Sequence, residues 1–344
     1  MLEIVRDKEK WDKVIQKCAL VDFYHTYSYH QLSKKRGEEP ILICYKEGNQ
    51  IIAIPLLLRE IEGSIYKDAT SVYGYPGPIS SNITEDKHFF LFQKELHNFL
   101  KSQNIVSVFS RLNSLIPHQE HCLDRLGLLE TPGRLVYIDL TKTLEEQWAT
   151  YSRRLRTYIN KSRSIYSIRQ ARTEADVDRF ITLYHENMRR VNAYEHYFFD
   201  KKYFMDLMNS GDFATELLFA VNINSNEVAG GALFTKKDAF IQYHLSGTRE
   251  RYLDLNPVKL LIDEMRIRGS SENFKYFNLG GGVGSKEDSL FYFKSGYSKF
   301  IVPFKVWKYK VNHTIYENLV KQLGKGQEHC ENPLEYFPHY RRHK

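Results

Sequence analysis

The sequence predicts an α/β (α+β) protein of two domains, each a mixed, mostly antiparallel sheet flanked by helices. The chain has 344 residues, which corresponds to about two domains at ~100–200 residues each. Segments with helical and strand periodicity alternate in both halves, and no Gly/Ser-rich linker separates the halves. We therefore expect two similar halves that meet near Thr141–Leu144.

The composition is that of a globular protein without disulfide or metal staples. Hydrophobic residues make up 42% and charged residues 26% of the chain, which excludes a disordered, collagen-like or rod-shaped protein. The four cysteines contain no C-x-x-C pair, and no His, Cys and Asp set has metal-ligand spacing. We expect no metal and a reducing cytoplasm. The sequence shows no apolar signal segment and no run of roughly 18 apolar residues that could span a membrane.

The first half combines helices with a hairpin and one shaped loop. A turn-rich tetrapeptide, Glu47–Gln50, separates two β-rich segments and so predicts a hairpin. Glycines and prolines interrupt regular structure in the loop Tyr73–Pro78. The other predicted elements are helices Lys8–Cys18, Ser28–Arg36 and Lys87–Lys101, and strands Ile41–Tyr45, Ile51–Arg59, Val106–Ser110 and Leu135–Asp139.

The second half begins with a long basic helix and continues with a meander of three strands. Thr141 or Thr143 can cap the first helix, and Pro257 stands in the first turn of a later one. The glycine-rich loop Gly280–Gly284 has neither Walker nor dinucleotide-binding spacing. The predicted helices are Leu144–Ser164, Asp176–Met188, Lys201–Asn209, Pro257–Arg268 and Ser289–Ser295. The predicted strands are Tyr166–Gln170, Glu216–Val221, Glu227–Thr235, Ala239–Ser246, Tyr276–Leu279 and Tyr297–Trp307.

Positive charge is concentrated at the start of the second half. The formal net charge is +7, and residues 151–172 contain seven arginines and lysines but no acidic residue. A planar guanidinium group donates two parallel hydrogen bonds to phosphate. We expect a platform for a nucleotide-sugar pyrophosphate or an RNA backbone, with Arg153 and Arg156 among its ligands. A solvated helix face is the alternative.

Short motifs near the end of the second half resemble one enzyme family. Gly280–Gly282, followed by Asp288–Phe291 and Phe293–Gly296, resembles the FemABX-like branch of the GNAT acyltransferase superfamily. Members carry two tandem GNAT-like domains, and peptidoglycan-bridge aminoacyltransferases are among them. The resemblance implies a cytoplasmic transferase that holds a cell-envelope precursor in a cleft between its domains. The implied domains are residues 1–142 on the acceptor side, rejoined by residues 312–344, and residues 143–311 on the donor side.

The resemblance assigns roles to residues in both domains. Phe293 and Lys294 lie beside the donor, and Lys34 holds a phosphate of the acceptor, although His30 replaces the tryptophan expected nearby. Further matches lie at Tyr73–Pro78, Arg111, Arg190 and Tyr243–Gly247. The candidate substrate-binding residues are Lys34, Tyr73, Tyr75, Arg111, Arg153, Arg156, Arg190, Tyr243, Gly281 and Gly282.

The expected reaction is the attack of an amine on an ester or thioester carbonyl. It requires a base for the amine, a group that stabilises the oxyanion and an acid for the leaving group. Lys294 could hold a donor phosphate or stabilise the negative charge, and a surface lysine is the alternative. Tyr292, four residues before Gly296, could protonate a thiolate, and a packing aromatic is the alternative.

Two further side chains are candidates for moving the amine proton. His244 titrates near neutrality and could be a base, although a structural, hydrogen-bonded histidine is an alternative. Strand alternation places it on one face with Gln242 and Ser246, opposite Tyr243. Asp288 could accept the proton or cap the helix that follows it.

The leading hypothesis is an acyltransferase that N-acylates an amino group on a nucleotide- or lipid-linked sugar in cell-wall or polysaccharide biosynthesis. Acyl-CoA is the expected donor, but the glycine-poor turn from Gly247 to Pro257 lacks part of the pyrophosphate cradle of CoA-using relatives. One alternative is an aminoacyl-tRNA-dependent peptidoglycan interpeptide-bridge aminoacyltransferase. Another is a non-catalytic adaptor that binds a glycan precursor. The expected partners are the sugar substrate, tRNA in the first alternative and a membrane surface if the substrate is lipid-linked, but not DNA.

Overall fold

The computed structural model of the protein describes residues 2–83, 88–323 and 336–342. The chain divides into two compact units, Met1–Pro132 with Pro303–Lys344, and Gly133–Val302. The predicted domain ends at residues 142 and 311 lie somewhat later in the chain than these two crossing points. Cys330 and part of the predicted segment 312–344 lie outside the described residues.

The described helices and strands follow one another with short connections. The strands are β1 Leu2–Val5, β2 Glu38–Glu47, β3 Gln50–Glu60, β4 Lys67–Thr70, β5 Ile79–Ser81, β6 Ile105–Leu112, β7 Leu128–Asp139, β8 Tyr166–Gln170, β9 Ala214–Asn222, β10 Val228–Lys237, β11 Phe240–Thr248, β12 Tyr276–Gly280 and β13 Phe300–Lys310. The helices are α1 Lys8–Ile15, α2 Tyr27–Ser33, α3 Phe90–Ser102, α4 Leu144–Thr150, α5 Arg153–Arg163, α6 Glu174–Arg190, α7 Lys201–Met208, α8 Val258–Ser271, α9 Ser289–Ser295 and α10 His313–Leu323.

The first unit is a mostly antiparallel sheet with a buried aliphatic core. Its strands follow the order β1-β2-β3-β4-β6-β13, with β5 beside β3. The pair β4 and β6 is parallel, and the other pairs are antiparallel. The core lies between the sheet and α3, whose buried side chains Phe92, Leu96 and Leu100 repeat at helical spacing.

The second unit has the strand order β7-β12-β11-β10-β9-β8. The pair β11 and β12 is parallel, and the other pairs are antiparallel. Its core includes side chains from α5, α8 and α9. The predicted α/β (α+β) class with mostly antiparallel sheets is therefore confirmed. In the described parts of the chain, no helix combines the length and the apolar character that crossing a membrane requires.

The predicted basic helix Leu144–Ser164 is wrong in one respect, because the structure breaks it into α4 and α5. Tyr151 adopts an extended conformation with ψ 139°, and the Ser152 hydroxyl accepts the Leu155 backbone N–H at 3.3 Å as an N-cap. The Ser152 backbone N–H donates to the carbonyl oxygen of Gly296, 2.8 Å away. The break thus places the start of α5 beside the end of α9.

A buried ion cluster holds this break against α8. One oxygen of Asp263 accepts from the Arg266 Nε at 3.0 Å and from the Tyr151 hydroxyl at 3.1 Å. Its other oxygen accepts from the Arg163 guanidinium at 2.7 Å. Asp263 is 1% exposed and Arg266 3% exposed, so each charge depends on the other for compensation.

Candidate active site

The regular strand pairing of the second unit is interrupted at the centre of β11. The register between β10 and β11 shifts so that Leu233 faces Leu245 and Phe234 faces Tyr243, which leaves His244 as the extra residue of a β-bulge. Pairing of β11 with β12 is found only over Phe240–Gln242 and Tyr276–Asn278 of the described chain. Beyond these residues, each strand presents one edge that the other does not cover.

The bulge corrects the predicted assignment of side chains to faces of β11. Strict alternation predicts Gln242, His244 and Ser246 on one face and Tyr243 on the other. In the structure, the hydroxyl groups of Tyr243 and Ser246 are hydrogen-bonded to each other, so these two side chains share a face. The extra residue at His244 shifts the alternation by one position.

Lys294, in the last turn of α9, carries a buried ammonium group. Its side chain is 8% exposed, and its Nζ donates to the carbonyl oxygen of Gly281 at 2.7 Å. Burial lowers the pKa of Lys294 from 10.5 to about 8, although the nearby carboxylate of Asp288 acts in the opposite direction. The surface-lysine alternative is therefore wrong, and the group can be charged or neutral near physiological pH.

Backbone conformation and close contacts explain why glycine occupies positions 280–282 of the loop. Gly280 has φ +81°, and its N–H donates to the Asn278 side chain at 2.8 Å. A Cβ on Gly281 would lie 2.8 Å from the Arg134 carbonyl oxygen, and a Cβ on Gly282 would overlap the carbonyl of Lys286. The loop can approach β7 so closely only without a side chain at Gly281, and it can fold back on Lys286 only without one at Gly282.

Asp288 ties the loop to α9. Its two carboxylate oxygens accept the backbone N–H groups of Phe291 at 3.0 Å and of Val283 at 3.1 Å. Burial acts to raise the pKa of Asp288, but these backbone hydrogen bonds hold the pKa below its usual value. The carboxylate is thus the N-cap of α9 and remains charged, as the cap alternative predicts.

The aromatic side chains of α9 point in different directions. Tyr292 is 63% exposed, so it does not pack in the core as its alternative predicts. Phe293 is half-buried, and its ring meets that of Tyr297 edge-on with centroids 5.8 Å apart. The exposed side chain of Tyr292 can therefore contact a ligand, whereas Phe293 packs against Tyr297 at the edge of the core.

His244 is paired with a residue that the sequence did not indicate. Its Nε2 is 2.8 Å from the hydroxyl of Tyr203 on α7, and the two rings are stacked with centroids 6.3 Å apart. Tyr203 stacks in turn on Phe199 at 4.1 Å. Burial lowers the pKa of His244 to about 4, so the imidazole is neutral at pH 7. No spacing pattern links Tyr203 with a histidine 41 residues later.

Side chains of the second unit form ion pairs and hydrogen bonds with the turn between β11 and α8. Glu227 pairs with Arg249 at 3.1 Å, with Arg251, and with the Tyr252 hydroxyl at 2.8 Å. The Arg190 guanidinium, a predicted ligand contact, donates to the Thr248 carbonyl oxygen at 3.1 Å. This turn is therefore held in place by ion pairs and hydrogen bonds.

The first turn of α8 does not fit the pyrophosphate of acyl-CoA. The Asn256 side chain accepts the Val258 N–H at 3.0 Å. The next three N–H groups, those of Lys259, Leu260 and Leu261, donate to the carbonyl oxygens of Asn256 and Pro257. Helix N-termini bind phosphate through open N–H groups, and here the first turn has none.

Some arginines of the basic stretch, residues 151–172, are neutralised by acidic side chains outside the stretch. Arg163 pairs with Asp263 at 2.7 Å, and Arg169 pairs with Asp176 at 2.8 Å. Arg153 and Arg156, in contrast, have no ion pair within the described part of the chain. Both guanidinium groups can therefore bind an external phosphate.

The predicted residues of the first unit are only partly brought together. The Arg111 guanidinium lies over the Tyr73 ring, 5.8 Å from its centroid. Tyr75 packs instead against Tyr24, with ring centroids 6.2 Å apart. Lys34 is exposed at the end of α2.

His30, which stands in place of a tryptophan, is a core residue. Its Nδ1 bonds to the Thr26 carbonyl oxygen at 2.9 Å, and its ring lies 5.1 Å from that of Trp11. Burial lowers the pKa of His30 to about 3. It therefore takes no part in a surface nucleotide contact.

No group of three or more His, Cys, Asp or Glu side chains with metal-binding geometry occurs among residues 2–83, 88–323 and 336–342.

Comparison with known proteins defines the class. Residues 149–294 match the family model described as an acetyltransferase (GNAT) domain. This match covers the bulge, the glycine-rich loop and Lys294. No curated protein matches the chain in sequence.

Three solved structures share the fold over most of the chain. The crystal structure of FemX matches with a TM-score of 0.70 at 12% identity, over 92% of this chain and 99% of that one. A conserved protein of unknown function from Bacteroides thetaiotaomicron matches with a TM-score of 0.59 at 10% identity, over 90% and 100%. The C-terminal domain of a candidate lysylphosphatidylglycerol synthetase from Agrobacterium fabrum matches with a TM-score of 0.55 at 12% identity, over 90% and 93%.

The chain thus contains an acetyltransferase (GNAT) domain over residues 149–294, which supports acyltransferase activity. Its fold is shared with FemX. The predicted family, fold class and enzyme class are confirmed.

Proposed function

We propose that the protein transfers an acyl group to an amino group on a nucleotide- or lipid-linked sugar of the cell envelope. The observation that carries this proposal is the buried ammonium of Lys294, held beside the glycine-rich loop in a GNAT domain. A buried cation acts in a low-dielectric surrounding, where its effect on developing charge is large. The shared fold with a candidate lysylphosphatidylglycerol synthetase domain supports an envelope substrate.

In the proposed reaction, the acceptor nitrogen forms a bond to the donor carbonyl carbon, and the bond to the donor sulfur or oxygen breaks. Negative charge develops on the carbonyl oxygen, and the Lys294 ammonium stabilises it. The acceptor nitrogen loses one proton, and the leaving group gains one. Tyr292, whose ring is exposed, supplies a proton to a thiolate leaving group.

The neutral imidazole of His244 is the proposed acceptor of the amine proton. Its place in the bulge lies on the open stretch of β11, and Tyr203 fixes the ring. Asp288 is assigned a positioning role, because the backbone occupies both of its oxygens. Gly281 and Gly282 are assigned to the loop backbone that holds Lys294, because both positions are too crowded for a side chain.

Two donors are compatible with this chemistry. The GNAT fold generally uses acyl-CoA, and Tyr292 suits a thioester. The closed first turn of α8 favours aminoacyl-tRNA as the second candidate, because an RNA donor does not depend on that turn. Arg153 and Arg156 are then the proposed phosphate contacts. In this proposal, residues 1–142 with 312–344 form the acceptor side and residues 143–311 the donor side.

The test is a transfer assay by mass spectrometry on amino-sugar nucleotides and lipid-linked amino sugars. Acetyl-CoA, longer acyl-CoAs and aminoacyl-tRNA serve as alternative donors. We expect Lys294→Met to abolish transfer, whereas the control Lys286→Met, at an exposed lysine of the loop before α9, keeps it. Binding of the sugars without transfer from any donor would favour the non-catalytic adaptor instead. Normal turnover of Lys294→Met would reject the assigned role.

A further inference from the structure

Helix α6 supports the two segments that meet at His244. On one side, α6 packs so closely on β11 that a Cβ on Gly247 would lie 2.6 Å from the Leu183 carbonyl oxygen. On the other side, the Tyr184 hydroxyl donates to the Tyr197 carbonyl oxygen at 2.8 Å, which ties the connector between α6 and α7 to the same helix. The strand that carries His244 and the connector that leads to α7 are therefore held on one common support.

Tyr203, in the first turn of α7, is fixed at its backbone and at its ring. Its backbone N–H donates to the Asp200 carboxylate at 2.8 Å, which caps the helix. Its ring stacks on that of Phe199, with centroids 4.1 Å apart and 13° between the planes. The Phe199 carbonyl oxygen accepts in turn from the Nε2 of His185 on α6 at 2.9 Å. The Tyr203 hydroxyl thus reaches His244 from a firmly held position.

The hydrogen bond between the Tyr203 hydroxyl and the His244 Nε2, 2.8 Å long, decides which imidazole nitrogen is basic. A neutral imidazole carries hydrogen on one nitrogen and a lone pair on the other, and the partner of one nitrogen fixes the role of the other. If the phenol oxygen accepts the Nε2–H, Nδ1 keeps the lone pair. If the phenol O–H donates to Nε2, Nδ1 carries the hydrogen. Only the first arrangement leaves a lone pair that a substrate amine can reach directly.

We propose that Tyr203 is a positioning residue that accepts the Nε2–H of His244 and so makes Nδ1 the atom that takes the amine proton. This inference rests on the proposed function, in which His244 is the proton acceptor. As the acceptor nitrogen bonds to the donor carbonyl carbon, its proton moves to Nδ1, and the resulting imidazolium still donates its Nε2–H to the phenol oxygen. The imidazolium returns one proton to water before the next turnover. In the resting protein, a partner of Nδ1 is then a hydrogen-bond donor whose place the amine takes.

The first test is the tautomer of His244, measured by histidine nitrogen NMR on the full chain with isotope-labelled histidine. The chain has 13 histidines, so the His244→Gln variant identifies the His244 resonances by their loss. We expect hydrogen on Nε2 in the wild type at pH 7 and a shift of the tautomer ratio toward Nδ1–H in Tyr203→Phe. A merely structural tyrosine would not move this ratio. Hydrogen on Nδ1 in the wild type, or the same ratio in both proteins, would overturn the proposal.

The second test is kinetic and uses Tyr203→Phe, which keeps the ring that stacks on Phe199 and removes only the hydroxyl. We expect kcat for acyl transfer to fall by about 10- to 100-fold with KM nearly unchanged, because a general base contributes about 10²- to 10⁴-fold to rate and a wrong tautomer loses part of this. The control is Tyr197→Phe on the same connector, whose hydroxyl has no hydrogen bond within the described residues. Its kcat should match the wild type. Equal losses in the two variants, an unchanged kcat in Tyr203→Phe, or a change confined to KM would reject the positioning role.

The two tests separate this inference from the proposed function. The tautomer of the wild type decides the question even if Tyr203→Phe unfolds, and unfolding midpoints of both variants accompany the kinetics. A wild type that transfers acyl groups but carries hydrogen on Nδ1 would reject this inference and keep the proposed transfer. A wild type with hydrogen on Nε2 that transfers nothing from any donor would reject the proposed function and keep the assigned hydrogen bond.

Discussion

The ammonium of Lys294 donates a hydrogen bond to the carbonyl oxygen of Gly281, 2.7 Å away. This bond joins α9 to the glycine-rich loop that precedes it, and Asp288 joins the same two segments through the backbone N–H groups of Val283 and Phe291. The buried cation is therefore held at one position. It can stabilise charge there without reorganisation during the reaction.

The stability of the protein should depend on pH through Lys294. The folded-state pKa is about 8 and the ordinary value is 10.5, so the unfolded state binds more protons between these values. The free energy of unfolding of the wild type should therefore rise relative to Lys294→Met as pH increases through this window. Urea unfolding of both proteins across this range measures the difference. Parallel curves would contradict the burial of a titrating lysine.

Activity should fall as pH rises above about 8, because Lys294 then loses the proton that carries its charge. Lys294→Arg keeps its charge at any practical pH, so its remaining activity should not fall over the same range. Initial rates from about pH 6.5 to 9.5 test this. The ratio of the two rates isolates Lys294, since deprotonation of the acceptor amine affects both proteins equally. A ratio of wild-type to Lys294→Arg rates that stays constant with pH would show that the charge of Lys294 takes no part in the mechanism.

Tyr292→Phe should slow transfer from acyl-CoA by at least about tenfold, because a general acid typically contributes 10²- to 10⁴-fold to rate. Transfer from aminoacyl-tRNA should change less, since its leaving group is a ribose hydroxyl. Tyr194→Phe is the control, since this tyrosine is also exposed. Single-turnover rates with each donor give the comparison. An unimpaired Tyr292→Phe with acyl-CoA would exclude the tyrosine as the acid.

Replacing Arg153 and Arg156 with Gln should raise the KM for the donor or the acceptor and leave kcat nearly unchanged. Both arginines lack ion pairs within the described residues, and the effect should shrink between about 0.05 and 0.5 M salt because salt screens exposed charges. Lys94 and Lys101 on α3 are exposed, and their double Gln variant controls for net charge. If both double variants behave alike at every salt concentration, the stretch is an ordinary solvated face.

Asp263→Ala should destabilise the second unit by about 3–5 kcal/mol, because it leaves the charge of Arg266 buried and unpaired. Asp178→Ala removes an exposed partner of Lys201 and should cost less than about 1 kcal/mol. Denaturant unfolding compares the two variants. A small effect of Asp263→Ala would mean that water or a rearranged side chain compensates Arg266.

Local features of the sequence were sufficient for several elements. Thr143 caps α4 and Asp288 caps α9, each as one of the two alternatives that the sequence allowed, because a cap depends on residues within one turn. The meander β9–β11 and the helix after Pro257 were also predictable from short-range periodicity and proline placement. The motif from Gly280 to Gly296 indicated the enzyme class, since its residues form one continuous loop and helix.

Tertiary contacts decided which of these residues became a site. The need for glycine at position 281 depends on β7, because the Arg134 carbonyl that would meet a side chain there lies far away in the sequence. The bulge at His244 depends on its register with β10. Arg163 and Asp263 are 100 residues apart, so the sequence showed a basic stretch where the fold forms an ion pair. Composition and periodicity record local preference, whereas burial, register and charge pairing are set by segments that meet only when the chain folds.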